Sequence, residues 1–198
     1  MECGIMVNVK PHLCFPTMVY EFDGIDKTNN LSMLNILDFE NENNSDELHN
    51  HLAFYTFTKK VLECTKEILK LNLYNFEKIE ITKMWGNTLK ENMCHPPHTH
   101  SNHVFSGVYF LRASKETSPI QFFDPRPAAS VLRPRVNGLS PNNSSMIQFD
   151  SVEGKGFIFP SWLMHWVPPT SEERVSISWN VIVRGDYGEP NTLQNAHI

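Results

Sequence analysis

The segment Cys94-His95-Pro96-Pro97-His98-Thr99-His100-Ser101-Asn102-His103 places four of the chain's nine histidines within ten residues. In an extended backbone, residues two apart project to the same face, so His98 and His100 can present two imidazoles to one point. Such a pair is half of a transition-metal site. Imidazole suits iron, zinc, nickel and copper alike, so the ligands do not choose the metal. The plainer reading is a pair of structural or exposed histidines. His95 and His103 lack the same parity with a second partner and are read as flanking the site.

A third ligand candidate lies far along the chain. Gly156-Phe157-Ile158-Phe159-Pro160-Ser161-Trp162-Leu163-Met164-His165 runs from an apolar strand through a turn into a histidine. His165 sits among Trp162, Leu163, Met164, Trp166 and Val167, where an unpaired polar group is costly. Taken alone it reads equally as a core histidine bonded to backbone. Nine residues on, past Pro168-Pro169-Thr170-Ser171-Glu172-Glu173, comes Arg174-Val175-Ser176. The Pro-rich turn predicts an antiparallel hairpin that sets His165 beside Arg174. An arginine fork with a hydroxyl on the same strand face is suited to a bidentate grip on a carboxylate. The competing reading pairs Arg174 with Glu172 or Glu173 at the surface, where such a pair contributes little.

The elements that must position these groups read as mainly β. Residues 7–22 suggest an opening strand or two, and the Asn-rich residues 23–44 read as mostly irregular. From Ser45-Asp46-Glu47, an acidic N-cap start, apolar residues recur near helical spacing to Leu71, predicting one long helix or two shorter ones packed as a support. Strands are predicted over 78–84, 104–111, 120–123, 156–159 and 175–183. Strands so spaced, joined by Pro- and Gly-rich turns, indicate a sandwich or barrel. Between 126 and 151 lies a long Pro-, Asn-, Ser- and Arg-rich segment; loops longer than about 12–15 residues are usually functional or disordered. Its Arg126, Arg133 and Arg135 form a local basic patch able to orient an anionic substrate, or simply a solvated loop.

The chain of 198 residues carries 17 basic against 22 acidic side chains, a formal net charge of −5. That balance argues against a general binder of nucleic-acid duplexes, which needs a basic face. No apolar run approaches the ~18–20 residues of a membrane span, and the opening Met1-Glu2-Cys3-Gly4 does not begin a secretory signal. The expectation is a soluble cytoplasmic protein with Cys3, Cys14, Cys64 and Cys94 as free thiols. The chain is read as one domain: 1–84 as N-terminal strands and supporting helix, 85–185 as the metal-binding core, and 186–198 as a tail. A symmetric homodimer is the default assembly.

The order HxH, apolar strand, His, Arg-x-Ser resembles the 2-oxoglutarate/Fe(II)-dependent oxygenases, whose core is a double-stranded β-helix, a jelly roll of the cupin-like kind. The likeness is closer to a subfamily of bacterial and phage oxygenases, and runs through Trp85-x-Asn87, Pro97-His98-x-His100, Ser106-Gly107-Val108-Tyr109, Phe123-Asp124-Pro125-Arg126, Phe159-Pro160-Ser161-Trp162-Leu163-x-His165 and Arg174-x-Ser176. It implies His98, His100 and His165 as ligands of Fe(II), and Arg174 with Ser176 as the clamp on 2-oxoglutarate. Asn87 and Tyr109 are implied as polar contacts to cosubstrate or substrate, with dioxygen as co-reactant. The implied reaction couples decarboxylation of 2-oxoglutarate to succinate with oxidation, expected as hydroxylation, of an unidentified small-molecule or peptide substrate. Trp162, Trp166, Phe110 and Trp179 are candidates for a dry wall, and Arg126 with Trp162 and Trp166 for substrate contact.

One departure stands out: the wider superfamily has a carboxylate where this chain has His100, with Asp124 as the reserve acidic ligand. Two other readings share the fold. One is a cupin-like three-histidine metalloprotein that does not use 2-oxoglutarate; the other is a non-catalytic metal-binding β domain.

Overall fold

Alternation with a period of two decides which side chains meet the site and which meet the supporting helices. The computed structural model describes residues 9–39, 45–129 and 131–198. In chain order, β1 (Tyr20–Phe22) leads to helix α1 (Lys27–Phe39), two 3-10 turns (Leu48–Asn50 and Leu52–Phe54) and helix α2 (Tyr55–Leu71). The β region then runs β2 (Lys78–Leu89), β3 (His95–His98), β4 (Phe105–Arg112), β5 (Ile120–Phe123), β6 (Met146–Phe149), β7 (Gly156–Pro160), β8 (His165–Val167) and β9 (Arg174–Arg184). A short ribbon of β10 (Asp186–Tyr187) and β11 (Ala196–His197) follows. A five-stranded sheet in the order β1-β7-β4-β9-β2 faces a four-stranded sheet in the order β3-β8-β5-β6, and every strand pairing is antiparallel. This is the jelly roll expected from the sequence.

In β9, Val175, Ile177, Trp179, Val181 and Val183 point outward into a core shared with the helices, while Arg174, Ser176, Ser178 and Asn180 point between the sheets. β4 follows the same rule. Phe105, Tyr109 and Leu111 face the helices, and Val108 and Phe110 face inward, where they pack with Ile120, Phe122, Phe157, Phe159 and Leu163. At Gly107 a β-carbon would lie 2.2 Å from the Trp179 ring, so only glycine lets that indole lie flat against the sheet.

Helix α2 forms because Phe57, Val61, Ile68 and Leu69 recur on one stripe, with lysines and glutamates opposite. Phe57 meets Trp179 edge-on at 5.4 Å and Tyr109 at 5.0 Å. Each such side chain, fully buried, contributes roughly 1.5–3 kcal/mol. Trp179→Ala would empty the centre of this layer at a cost of about 3–5 kcal/mol.

β2 carries a register shift between Ile81 and Lys83, against an unbroken β9. Ile79 and Ile81 before it, and Met84 after it, all pack on the helix side. Trp85 and Asn87 therefore face inward, opposite Ser178 and Ser176.

Several expectations are corrected. Residues 27–39 of the stretch read as irregular form α1, nucleated by Asp26, whose carboxylate accepts from the Asn29 amide at 2.9 Å. Asparagines are poor helix formers, and here the burial of Met33 and Leu37 outweighs that preference. Ser45-Asp46-Glu47 leads into the 3-10 turn Leu48–Asn50 and not directly into the α-helix. Asp46 pairs with Lys83, Glu47 bridges Met84, and α2 begins only at Tyr55. Of residues 7–22, only Tyr20–Phe22 is a strand among the described residues, and residues 1–8 and 40–44 lie outside them. His165 and Arg174 do not share a hairpin: β8 lies in the small sheet and β9 in the large one. Cys14, Cys64 and Cys94 are free thiols, and Cys3 lies outside the described residues.

Candidate active site

The three histidines converge across the mouth of the roll. His98 ends β3 and is paired in register with His165 of β8, and His100 follows in the loop, held by its amide donating to the Ser161 carbonyl at 2.9 Å. Each of the three offers a ring nitrogen, and all three nitrogens lie within 4.8 Å of one another. His100 Nε2 and His165 Nε2 are 3.3 Å apart. With metal–nitrogen bonds near 2.0–2.1 Å, two ligand atoms at a right angle are ~3 Å apart, so the spacing suits one ion.

Tautomer and orientation are set locally. His165 Nδ1–H donates to the Leu163 carbonyl at 2.8 Å, and His98 Nδ1–H donates to the Pro96 carbonyl at 2.8 Å. Both rings therefore present Nε2 as a lone pair, as outer-shell bonds do for metal-bound histidines. Phe159 packs edge-on against the His165 ring at 4.7 Å, and Phe122 lies 5.8 Å from it. Burial pushes the His165 and His100 imidazoles down to about 4, so both are neutral at physiological pH, as a ligand must be. The donor set fits a divalent transition metal.

The other end of the pocket is cationic. Arg174 is 1 % exposed. Its Nε donates to Ser151 Oγ at 3.0 Å, Nη1 donates to Ser176 Oγ at 3.3 Å, and the guanidinium lies 4.7 Å over the Phe110 ring. Nη2 has no partner. Desolvation lowers its pKa to about 10, so it remains charged at neutral pH. Glu172 and Glu173 do not pair with it: Glu173 binds Arg112, and Glu172 accepts from the Ser114 hydroxyl. Among the described residues no carboxylate lines the pocket, whose walls are Trp85, Asn87, His95, Val108, Ile120, Phe159, Val167 and Ser178 beside the groups already named. A buried guanidinium that keeps one donor arm free, in a pocket without an acid, fits an anionic ligand.

The remaining sequence candidates divide. Asn87 lines the pocket, accepting from Trp85 Nε1 at 3.2 Å and donating to Ser178 Oγ at 2.9 Å. Phe110 is inward, under Arg174. Tyr109 is a correction: it faces the helices, its hydroxyl donating to Asn30 Oδ1 at 2.9 Å and its ring stacked on Phe22 at 5.9 Å. Trp179 is buried on that same outer side. Trp166 is on the face of β8 opposite His165 and donates to Gln121 Oε1 at 2.7 Å. Trp162 is 58 % exposed and outside the pocket lining.

Asp124 and Arg126 hold each other in a two-pronged pair beside a separate groove, and Arg133 donates to the Asn143 carbonyl. The pair keeps Asp124 ionised but directs it away from the three histidines. His95, read as flanking the site, lines the pocket, while sequence reasoning passed over Ser178 and Val167 as pocket residues. Period-two counting along Arg174-x-Ser176-x-Ser178 finds Ser178; nothing local announces Val167.

Residues 83–180 match the family model described as "Putative 2OG-Fe(II) oxygenase". The chain belongs to the 2OG-Fe(II) oxygenase family. The oxygenase also resembles solved structures. A prolyl-4-hydroxylase from Pseudomonas putida is similar over 88 % of this chain and 88 % of its own, at 12 % identity and a TM-score of 0.59. The viral collagen prolyl hydroxylase of Paramecium Bursaria Chlorella virus-1, in its 2OG complex, covers 86 % of this chain and 98 % of its own at 13 % identity and a TM-score of 0.57. HygX from Streptomyces hygroscopicus, with iron bound, covers 83 % and 82 % at 10 % identity and a TM-score of 0.59. At this identity the likenesses establish the jelly-roll fold of the oxygenase. No curated protein matches it. Among the described residues, no helix is long and apolar enough to cross a membrane.

Proposed function

We propose that this oxygenase holds Fe(II) on His98, His100 and His165 and binds 2-oxoglutarate by its far carboxylate on Arg174 and Ser176. It would couple decarboxylation of that cosubstrate to succinate with hydroxylation of a second substrate, a small molecule or peptide. The observation that carries the reading is Arg174: a buried cation with a free donor arm and, among the described residues, no acid in its pocket, which it shares with three convergent imidazoles. When bound, Fe(II) with 2-oxoglutarate and dioxygen supplies the oxidising chemistry.

The protein contributes placement and electrostatics. Neutral imidazoles leave the full +2 charge of the metal uncompensated, and Arg174 adds another positive charge, so the pocket selects a dianion. Ser151 and Phe110 hold the guanidinium plane, which limits the ordering needed when a carboxylate arrives. Phe159, Val108, Ile120 and Val167 keep the wall apolar, so charge-assisted bonds formed inside are weakly screened.

The test is an anaerobic titration of the Fe(II)-loaded protein with 2-oxoglutarate, following the visible charge-transfer band of the chelate, in wild type and Arg174→Ala. A band in wild type that collapses in the variant is expected. No band at saturating Fe(II) and cosubstrate would turn the assignment to a three-histidine site that does not use 2-oxoglutarate.

A further inference from the structure

Among the described residues, two buried side-chain nitrogens without a partner line this pocket: Arg174 Nη2 and His95 Nε2. His95 stands apart from the three convergent imidazoles. Its ring centroid is 6.5 Å from that of His98, and it is outside the cluster whose ligand atoms lie within 4.8 Å. Its place in β3 is set by register with Val167, whereas His98 is paired with His165. His95 is thus displaced along the strand from the metal-binding end of the pocket. Arg174 and His95 line the same pocket.

An imidazole lone pair aimed at Arg174 would accept from Nη2, but neither atom is bonded. Nη2 can only donate, and His95 in its Nε2–H tautomer donates as well, so one acceptor brought from outside would serve both. A carboxylate offers about four acceptor positions, enough for a guanidinium arm, a hydroxyl and an imidazole N–H together.

We propose that His95 is a third arm of the cosubstrate clamp, donating from Nε2–H to the far carboxylate of 2-oxoglutarate beside Arg174 and Ser176. The inference rests on the cosubstrate proposed above. It makes His95 a binding residue and not a spare metal ligand.

The experiment is calorimetric binding of 2-oxoglutarate and of 2-oxopentanoate, which lacks the far carboxylate, to Mn(II)-loaded protein under nitrogen. His95→Leu is expected to weaken 2-oxoglutarate by about tenfold or more, the size of one hydrogen bond to a charged group. Its affinity for 2-oxopentanoate should stay at the wild-type value. His95→Gln, whose amide can donate from a similar position, should recover most of the loss. Equal weakening of both ligands, or no weakening of either, overturns the assignment.

If wild type fails to bind 2-oxoglutarate at all, the cosubstrate reading falls and this one with it. If Arg174→Ala loses binding but His95→Leu does not, only the role of His95 falls. Should His95→Leu fold poorly, nitrogen NMR of the wild-type Zn(II)-loaded protein decides. The His95 Nε2–H resonance should appear or shift when 2-oxoglutarate is added, and an unmoved resonance refutes the contact.

Discussion

Arg174→Met exchanges a buried cation for an apolar chain of similar length, and it should separate folding stability from ligand binding. Burial lowers the Arg174 pKa to about 10, which corresponds to ~3 kcal/mol weighing against the charged form. Because the folded pKa is the depressed one, this cost is carried by the folded protein at neutral pH and fades only as pH rises beyond about 10. Against it stand the bonds to Ser151 and Ser176 and the contact with Phe110, each worth about 0.5–1.5 kcal/mol.

These terms nearly cancel. The metal-free variant should therefore melt within ~4 °C of wild type, or above it, at about 2–4 °C per kcal/mol for a chain of this size. Affinity for 2-oxoglutarate should fall at least ~100-fold, since two charge-assisted bonds of about 1.5–3 kcal/mol each are lost. The assay pairs urea or thermal unfolding of the metal-free protein with calorimetry on the Mn(II)-loaded form. A destabilisation above about 3 kcal/mol would show that Arg174 anchors the fold, and an affinity within threefold of wild type would refute the clamp.

Other expectations follow from the same geometry. His165→Ala should abolish retention of one equivalent of Mn(II) or Fe(II) after desalting, measured by metal analysis; a retained equivalent would remove His165 from the ligand set. His100 and His165 stay neutral in the fold down to about 4 but take a proton near 6.5 when unfolded, so their stabilisation is present above 6.5 and is lost as pH falls toward 4. The metal-free melting temperature should therefore drop across that window by the equivalent of up to roughly 6 kcal/mol, about 3 from each group, and His100→Gln with His165→Gln should flatten the profile. Tyr109→Phe should cost about 1 kcal/mol in urea unfolding, through the bond to Asn30, and leave 2-oxoglutarate affinity unchanged. Gly107→Ala pushes a methyl into the Trp179 ring and should destabilise by about 1–3 kcal/mol or more, read by the same unfolding curve.

Much of the chemistry was legible because it is written in local spacing. His98 and His100 are two residues apart before a strand, and Arg174 and Ser176 share one strand face, so pattern alone grouped them. What failed was phase and partnership. Tyr109 was placed by its neighbourhood in a motif, whereas its orientation depends on register: it lies opposite Ile177, on the apolar side of β9. The turn after His165 correctly announced a change of direction, but turn residues do not say which sheet the next strand enters. β8 is three residues long and β3 contains two prolines, so neither carries a periodic signal. α1 is built from asparagines that a propensity argument rejects, and only docking of Met33 and Leu37 explains it.

The extra residue in β2 divides labour along a single ribbon. Ahead of Thr82 the odd-numbered apolar residues Ile79 and Ile81 pack on the support, and behind it the even-numbered Met84 takes that duty, which frees Trp85 and Asn87 for the pocket. Taken into the ladder as an ordinary residue, Thr82 would turn the second half of the strand over, presenting Met84 to the pocket and Trp85 to the helices, whereas its deletion would straighten the strand and keep both faces. That position therefore tolerates its own loss better than the arrival of one more residue in the ladder. The face of β2 that meets the ligand is encoded by counting rather than by chemistry.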